Sequence, residues 1–175
     1  MQRCWLSDDR KMIRIQSYRA AYQQAVADLI LPIQNQEFGL AIGLAQQPDL
    51  AQIEAFYQQG CGQFWVAFDG EELVGCIALK DIANGQAALR KMFVRSSHRG
   101  REKAVAQTLL EQLFSWAQEK AVSEIFLGTT DQFVGAQKFY LKNGFEKILS
   151  DQLPTLFPRM AVDTHFYRIR LSIAV

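Results

Sequence analysis

The residues from Met92 to Ala106, which read MFVRSSHRGREKAVA, have the composition of an anion-binding loop. Apolar, strand-like residues open the stretch, polar and glycine positions follow, and a helix begins at its end. A short basic loop between a strand and a helix leaves backbone N–H groups unpaired at the positive end of the helix dipole, where a phosphate group binds well. Charge is supplied by Arg99, Arg101 and Lys103, and close approach to the backbone by Gly100, Ala104 and Ala106. Because basic loops before helices are also common as solvated turns, the stretch alone leaves both interpretations open.

The helix after this loop is marked by a single apolar stripe. Its members recur at i, i+3, i+4, i+7 and i+11, the spacing of one helix face: Ala106, Leu109, Leu110, Leu113 and Ala117. The spacing predicts a helix over 104–119, with a strand at 87–94 before it and a short strand at 124–128 after it. Strand, helix and strand in this order form a parallel crossover, which is expected to be right-handed.

Hydrophobic periodicity and turn residues predict the remaining elements. The predicted helices span 18–38, with Pro32 kinking that helix or ending it just before, 50–59, with Asp49 as N-cap, and 133–142, ending at Asn143-Gly144. The predicted strands span 12–15, 63–68, 73–80, 145–149 and 163–172, with tight turns at Asp69-Gly70 and Asn84-Gly85. Periodicity alone therefore indicates a mixed sheet with about four helices.

Composition and charge limit the classes of function. The chain has 175 residues, 49% apolar and 21% charged, with a net charge of +1, which is typical of a globular protein and argues against a nucleic-acid binder. Three cysteines and two histidines show no metal-ligand spacing, so no metal site is expected. Neither a long apolar run nor a hydrophobic N-terminal segment is present, which favours a cytoplasmic protein without membrane contact. Residues 1–175 are expected to form a single domain, with 1–10 as a loosely ordered lead-in.

Two segments resemble motifs of the GNAT-type N-acetyltransferases. Arg101-x-x-Ala104-x-Ala106 ahead of a Leu-rich helix is similar to the family's pyrophosphate-binding motif, Gln/Arg-x-x-Gly-x-Gly/Ala. Further along, the segment from Ala136 to Phe145 resembles the family pattern Ala-x-x-Phe-Tyr-x-x-x-Gly-Phe residue for residue. Two positions depart from the family, because Ala104 replaces a usual glycine and Phe133 a frequent asparagine. Since alanine readily takes helical dihedrals, we expect Ala104 in the first turn of the helix.

The resemblance implies a GNAT-like α/β (α+β) fold and an acetyl-coenzyme A cosubstrate. The fold would be a mixed, mostly antiparallel sheet of about seven strands with about four helices on both faces. In the family, the strands at 87–94 and 124–128 diverge, and the exposed backbone of the first pairs with the pantetheine amides. The residues implied to bind the cofactor are Met92, Phe93, Val94, Arg99, Gly100, Arg101, Glu102, Lys103, Ala104, Val105, Ala106 and Phe139.

The chemistry implied is acetyl transfer to a primary amine by direct attack in a ternary complex. The thioester carbonyl would point at a backbone N–H near Phe93 or Val94. Tyr140 would protonate the departing thiolate, although it could instead only pack the helix on the sheet. The amine must lose a proton before it attacks, and Glu37 is the candidate base because the first helix and the following loop line the acceptor side in relatives. Glu37 could equally be a solvated surface carboxylate.

Alternatives remain at this stage. A nucleotide-dependent transferase could use the same loop for ATP, but the Gly-x-x-x-x-Gly-Lys-Ser/Thr pattern is missing. A catalytically degenerate module of the same fold could bind an acyl-coenzyme A or a partner protein without turnover. The acceptor is a small molecule or a peptide that the sequence does not identify, and a homodimer is the assembly that the resemblance suggests.

Overall fold

A computed structural model describes residues 12–102 and 104–173 of the chain, and the predicted lead-in at 1–10 lies outside them, as does Lys103. Seven strands form one sheet in the order β1-β2-β3-β4-β5-β7-β6. The strands are β1 (Arg14–Ser17), β2 (Gln63–Asp69), β3 (Glu72–Asp81), β4 (Gln86–Val94), β5 (Glu124–Thr129), β6 (Glu146–Ile148) and β7 (His165–Arg170). The helices are α1 (Gln23–Pro32), α2 (Pro48–Ala51), α3 (Ile53–Tyr57), α4 (Val105–Glu119) and α5 (Val134–Lys142).

The sheet is mixed and mostly antiparallel, as the sequence predicts. Among the described residues, β4 and β5 are the only strands that pair in parallel, and α4 connects them as the predicted crossover. Both predicted tight turns are present: Gly70 has φ 62°, and Asn84 and Gly85 have φ 57° and 72°. These left-handed dihedrals are the ones that tight hairpin turns require.

The two faces of the sheet carry separate cores. The apolar stripe of α4 packs on one face together with Tyr140 of α5. On the other face, α1 and α3 pack against β2 and β3. A smaller cluster around Phe126 and Phe166 covers the far end of the second face. The loop at the start of α4 is thereby anchored by a helix whose core-facing residues are fully buried.

The first two predicted helices differ from the prediction. The first continues through Pro32, whose missing N–H ends the α-helical pattern, and a π-helical turn follows over Ile33–Glu37. The second is broken at Gln52 into α2 and α3. Asp49 is not an N-cap, because it lies inside α2 and is buried. Its carboxylate instead accepts a hydrogen bond from the Tyr57 hydroxyl at 2.5 Å.

A β-bulge interrupts β4 at Lys91. Lys91 has φ 53°, and the pairing register with β3 shifts between Cys76 and Ala78. The Lys91 carbonyl accepts a hydrogen bond from the buried Cys76 thiol at 3.1 Å, and burial raises the pKa of that thiol to about 12. The bulge therefore uses Cys76 as a structural donor rather than as a nucleophile.

The Lys91 side chain turns into the protein beneath the bulge. Its ammonium lies 3.4 Å from the Asp49 carboxylate and donates to the Gln47 side chain at 2.6 Å. Gln47 in turn exchanges hydrogen bonds with the buried Gln34 at 2.8 and 3.0 Å. Burial lowers the pKa of Lys91, and Asp49 opposes that shift. This buried network ties β4 to α2 and to the π-helical turn.

Candidate functional site

The site is an opening between β4 and β5. Their parallel pairing covers only three residue pairs and ends at Ala88 and Phe126, although β4 continues to Val94 and β5 to Thr129. The backbone groups on the β5 side of residues 89–94 therefore have no neighbouring strand to pair with. This confirms the predicted divergence of the two strands.

A cavity of about 410 Å³ occupies the opening. Its walls come from β4, from β5, from α5 and from two loop segments, 33–42 and 157–163. The volume lies within the range of sites that hold small molecules and cofactors. Because the cavity meets the start of α4 at Ala106, a long ligand can reach from the strands to the basic loop.

The structure places the predicted cofactor residues in three groups. Seven of them line the cavity: Met92, Phe93, Val94, Arg99, Gly100, Ala106 and Phe139. Arg101, Glu102, Ala104 and Val105 do not line it, and Lys103 lies outside the described residues. The Val105 side chain is fully buried in the core, so only its backbone N–H is available to a ligand.

The loop before α4 is fixed by its own side chains. His98 is buried and its Nε2 lies 2.8 Å from the Asp69 carboxylate in the β2–β3 turn. Arg99 donates from Nε to the Val94 carbonyl and from Nη1 to Glu37, both at 2.8 Å. These contacts fix the loop before α4 to the ends of β2 and β4 in the absence of a ligand.

The start of α4 leaves donors free for an anion. Within residues 12–102 and 104–173, no group accepts a hydrogen bond from the N–H of Val105 or Ala106. These N–H groups point out of a fifteen-residue helix at the positive end of its dipole. The loop is therefore open in the way that an anion site requires.

Ala104 has a conformation that the sequence did not predict. It precedes α4 with φ 51° and ψ 25°, in the left-handed region, and is not in a helical first turn. Its N–H donates to the Gly100 carbonyl at 3.2 Å, which closes the loop. The left-handed conformation costs a non-glycine residue about 1–2 kcal/mol. This explains physically why glycine suits the position that Ala104 occupies.

Tyr140 lies on α5 with its ring packed against Phe139, Phe145 and Tyr167. It is 5% exposed and lines the cavity. Its hydroxyl makes no hydrogen bond to another described residue, so it is available to a ligand. Burial raises the pKa of Tyr140 far above its ordinary value, so the hydroxyl keeps its proton at neutral pH and can act as a donor.

Glu37 ends the π-helical turn at the edge of the opening. It is outside the cavity lining, and its carboxylate forms the ion pair with Arg99. Only its Oε2 is engaged by the guanidinium, at 2.8 Å from Arg99 Nη1. The structure thus brings Glu37 to the basic loop before α4 and not to the deeper part of the cavity.

Three charged residues that line the cavity were not predicted from the sequence: Lys91, whose ammonium the buried network already engages, and the pair Arg90 and Asp163. Asp163 is 9% exposed, and burial raises its pKa, while the Met160 N–H and the charges of Arg90, Arg159 and Lys91 oppose the increase. Arg90 lies two residues beyond the last β4–β5 pair. No local signal identifies them, because Asp163 lies in an aperiodic loop and Arg90 is one polar position in a strand.

Two further observations concern residues 12–102 and 104–173, the part of the chain that the structure describes. No group of three or more histidine, cysteine, aspartate or glutamate side chains is arranged there to hold a metal ion. No helix there is long and apolar enough to span a membrane.

The comparisons with known proteins agree on one family. The sequence profile of the Acetyltransferase (GNAT) family matches residues 28–145, more than half of the chain. The crystal structure of an acetyltransferase of the GNAT family from Staphylococcus aureus Mu50 has a TM-score of 0.87 and 38% identity, covering 91% of this chain and 99% of that one.

More distant matches add to this result. An N-acetylaspartate synthetase from Danio rerio is 33% identical over 132 residues, which are 73% of this chain and 46% of that protein. N-Acetylglutamate synthase from Neisseria gonorrhoeae, in complex with coenzyme A and N-acetyl-glutamate, has a TM-score of 0.70 at 18% identity. That match covers 92% of this chain and 35% of the other, and it shows the fold alone. The chain spans about half the length of the curated relatives it matches.

The left-handed Ala104 generates a stability prediction. Ala104→Gly should raise the free energy of unfolding by about 0.5–1 kcal/mol, because relief of the dihedral strain outweighs the larger conformational entropy of glycine in the unfolded chain. Ala106→Gly is the matched control, since the same change inside α4 should lower that free energy by a similar amount. Urea denaturation measures both, and equal destabilisation by the two substitutions would contradict the assigned strain.

Proposed function

Since the chain belongs to the acetyltransferase (GNAT) family, we propose that it transfers an acetyl group from acetyl-coenzyme A to the primary amine of an acceptor. The reaction proceeds by direct attack in a ternary complex, without a covalent enzyme intermediate. The observation that carries the proposal is the continuity of the β4–β5 opening with the free N–H groups at the start of α4. An extended thioester with a diphosphate at one end has the shape and the polar groups that this path requires.

The cofactor has two points of attachment in this proposal. Its diphosphate accepts hydrogen bonds from the N–H groups of Val105 and Ala106, next to the charge of Arg99. Its pantetheine amides pair with the free edge of β4 over residues 89–94, as an added strand would. The acyl end then points toward the closed end of the opening, beside the cavity-lining Tyr140.

Phe133 gives the cavity an apolar wall along the path proposed for the pantetheine arm. Its ring packs edge-on against Phe38 and Phe93, with centroid distances of 4.5 and 6.2 Å. An apolar contact thus stands where relatives often have an asparagine amide. We infer that this part of the cavity holds methylene groups of the pantetheine arm by burial rather than by a side-chain hydrogen bond.

The proposed reaction needs one general base, which takes a proton from the acceptor amine, and one general acid, which protonates the departing thiolate. The acceptor ammonium, with a pKa of about 10, first gives a proton to a base, and the neutral nitrogen attacks the thioester carbonyl. Collapse of the tetrahedral intermediate breaks the carbon–sulfur bond, and the Tyr140 hydroxyl gives its proton to the departing thiolate. The proton still on the new amide nitrogen restores the tyrosine. A backbone N–H near Phe93 or Val94 supports the oxyanion.

Glu37 remains our sequence-derived candidate for the base. In that role it would act through Oε1, because Oε2 is engaged by Arg99. The ion pair also supports a second role, in which Glu37 orients Arg99 toward the diphosphate. The name of the N-acetylaspartate synthetase relative favours a small amine as the acceptor over a protein.

The first test of the proposal is selective stabilisation by the cosubstrate. Acetyl-coenzyme A, but not ATP, should raise the melting temperature of the purified chain, and thiol should be released when a panel of amines is added. Ala104→Asp should abolish the shift, because a carboxylate would meet the diphosphate. The substitution should not disturb folding, because Asp is tolerated in the left-handed region.

Ala104→Asn is the control, since it has the same shape without the charge and should retain the shift. A normal shift with Ala104→Asp would contradict the assignment of the loop. Binding without thiol release for any amine would favour the catalytically degenerate module instead.

The second test concerns the acid. Tyr140→Phe should lower kcat by about tenfold or more and leave the affinity for acetyl-coenzyme A nearly unchanged, because only the proton donor is lost. Tyr167→Phe removes the hydroxyl of a neighbouring ring outside the cavity lining and should leave kcat unchanged. Thiol-release kinetics measure both, and wild-type turnover in Tyr140→Phe would remove Tyr140 from the mechanism.

A further inference from the structure

Two side chains of opposite charge flank the closed end of the β4–β5 opening. Arg90 lies two residues beyond Ala88, and Gly128 two residues beyond Phe126, which is the last pair between the strands. Because side chains alternate along a strand, Arg90 and Gly128 lie on the same face of the sheet as that pair. A Cβ atom on Gly128 would come within 2.6 Å of Asp163 Oδ2, so the Asp163 carboxylate lies directly over the glycine. Arg90 and Asp163 thus border the same gap from its two strands.

The Asp163 carboxylate has one oxygen fixed and one available. Oδ2 accepts a hydrogen bond from the Met160 N–H at 2.9 Å. The other oxygen has no partner among the described residues, although the residue is 9% exposed and lines the cavity. A nearly buried carboxylate with a free oxygen facing a cavity is suited to a cationic ligand.

The Arg90 guanidinium likewise forms no ion pair with a carboxylate of the described residues. It lies over the Phe56 ring, 5.6 Å from the centroid, and it also lines the cavity. No carboxylate of residues 12–102 or 104–173 forms an ion pair with it. The neighbouring Lys91 differs in this respect, because Asp49 and Gln47 satisfy its ammonium.

We propose that the acceptor carries a carboxylate as well as its amine, as an amino acid does. The Arg90 guanidinium pairs with the carboxylate, for which its planar fork offers two parallel donors. The Asp163 carboxylate receives the ammonium group and takes the proton that the amine must lose before it attacks. This assignment rests on the proposed acetyl transfer, and it places the base inside the cavity and not at Glu37.

The positions of Arg90 and Asp163 agree with the direction from which the cofactor enters the opening. The cofactor enters from the α4 end of the opening, so its acyl group points toward the end where the strands rejoin at Ala88 and Phe126. An amine held by Asp163 over Gly128 is then on the sheet face from which it can reach the thioester carbon. Gly128 has no side chain, which leaves room for the carboxylate at this point.

The test compares acceptors that differ only in the carboxylate. Thiol release from acetyl-coenzyme A is measured for the full chain with the standard L-amino acids and with their C-terminal primary amides. The best amino acid should exceed its own amide at least about tenfold in kcat/KM, the lower limit expected for a charge-assisted contact. The amide has the less basic amine and is more often neutral at pH 7, so its intrinsic reactivity works against this result.

Substitutions separate the two ends of the acceptor. Arg90→Gln should lower kcat/KM for amino acids about ten- to a hundredfold, mainly through KM, and leave the amides within about threefold. Asp163→Asn, which keeps an acceptor for the Met160 N–H, should lower turnover of acids and amides alike. Arg159→Gln removes an exposed cation near Asp163 that does not line the cavity, and it should change neither.

The outcomes distinguish the proposed carboxylate site from the proposed acetyl transfer on which it rests. Equal use of acids and amides by the wild-type chain, or an equal loss for both in Arg90→Gln, would overturn the carboxylate site while acetyl transfer stands. A missing acetyl-coenzyme A shift together with no thiol release would overturn both. A variant that keeps the acetyl-coenzyme A shift in melting temperature is folded. If Arg90→Gln fails to fold, Arg90→Lys replaces it, because lysine keeps the charge but lacks the two parallel donors of the guanidinium.

Discussion

The parting of β4 from β5 after Ala88 and Phe126 is the constraint on which the rest of the site depends. Two parallel strands normally satisfy each other's backbone groups along their whole length. Here that pairing stops after three residue pairs, and both strands continue. The unpaired edge of β4 creates a slot with hydrogen-bonding walls, and the cavity, the free N–H groups of α4 and the proposed acceptor charges all open onto this slot.

The bulge at Lys91 lies three residues beyond Ala88, in the part of β4 that no longer pairs with β5. A left-handed lysine in a strand is strained, and its carbonyl loses its ladder partner. The Cys76 thiol restores a donor to that carbonyl, while Asp49 and Gln47 hold the ammonium. A buried ion pair contributes little net stability, but removing one partner is costly, so this pair fixes the bulge in one conformation. Helix α2, which contains Asp49 and directly follows Gln47, is thereby coupled to the shape of the cavity.

Local sequence signals predicted the parts of the fold that local physics decides. The tight turns at Asp69-Gly70 and Asn84-Gly85, the apolar stripe of α4 and the strand–helix–strand crossover are all in place. Where the prediction was wrong, a tertiary contact had overridden a local preference. Asp49 looked like a helix cap and is instead the buried partner of Lys91.

The deeper part of the site was beyond prediction for the same reason. Arg90 and Asp163 are distant in sequence, and only the pairing of β4, β5 and β7 brings them to one gap. The left-handed Ala104 was hidden because alanine gives no signal for that conformation. Turn and helix residues can thus be read from their neighbours in sequence, whereas a pair of opposed charges becomes visible only in the folded sheet.

Backbone hydrogen–deuterium exchange of the chain, with and without coenzyme A, tests the central claim most directly. The account predicts slower exchange on addition of coenzyme A at the amides of residues 89–94 on β4 and at Val105 and Ala106 at the start of α4. Pantetheine alone, which has no diphosphate, should slow exchange in the β4 segment only. Unchanged exchange in both segments at a saturating concentration of coenzyme A, or protection confined to another part of the chain, would contradict the account.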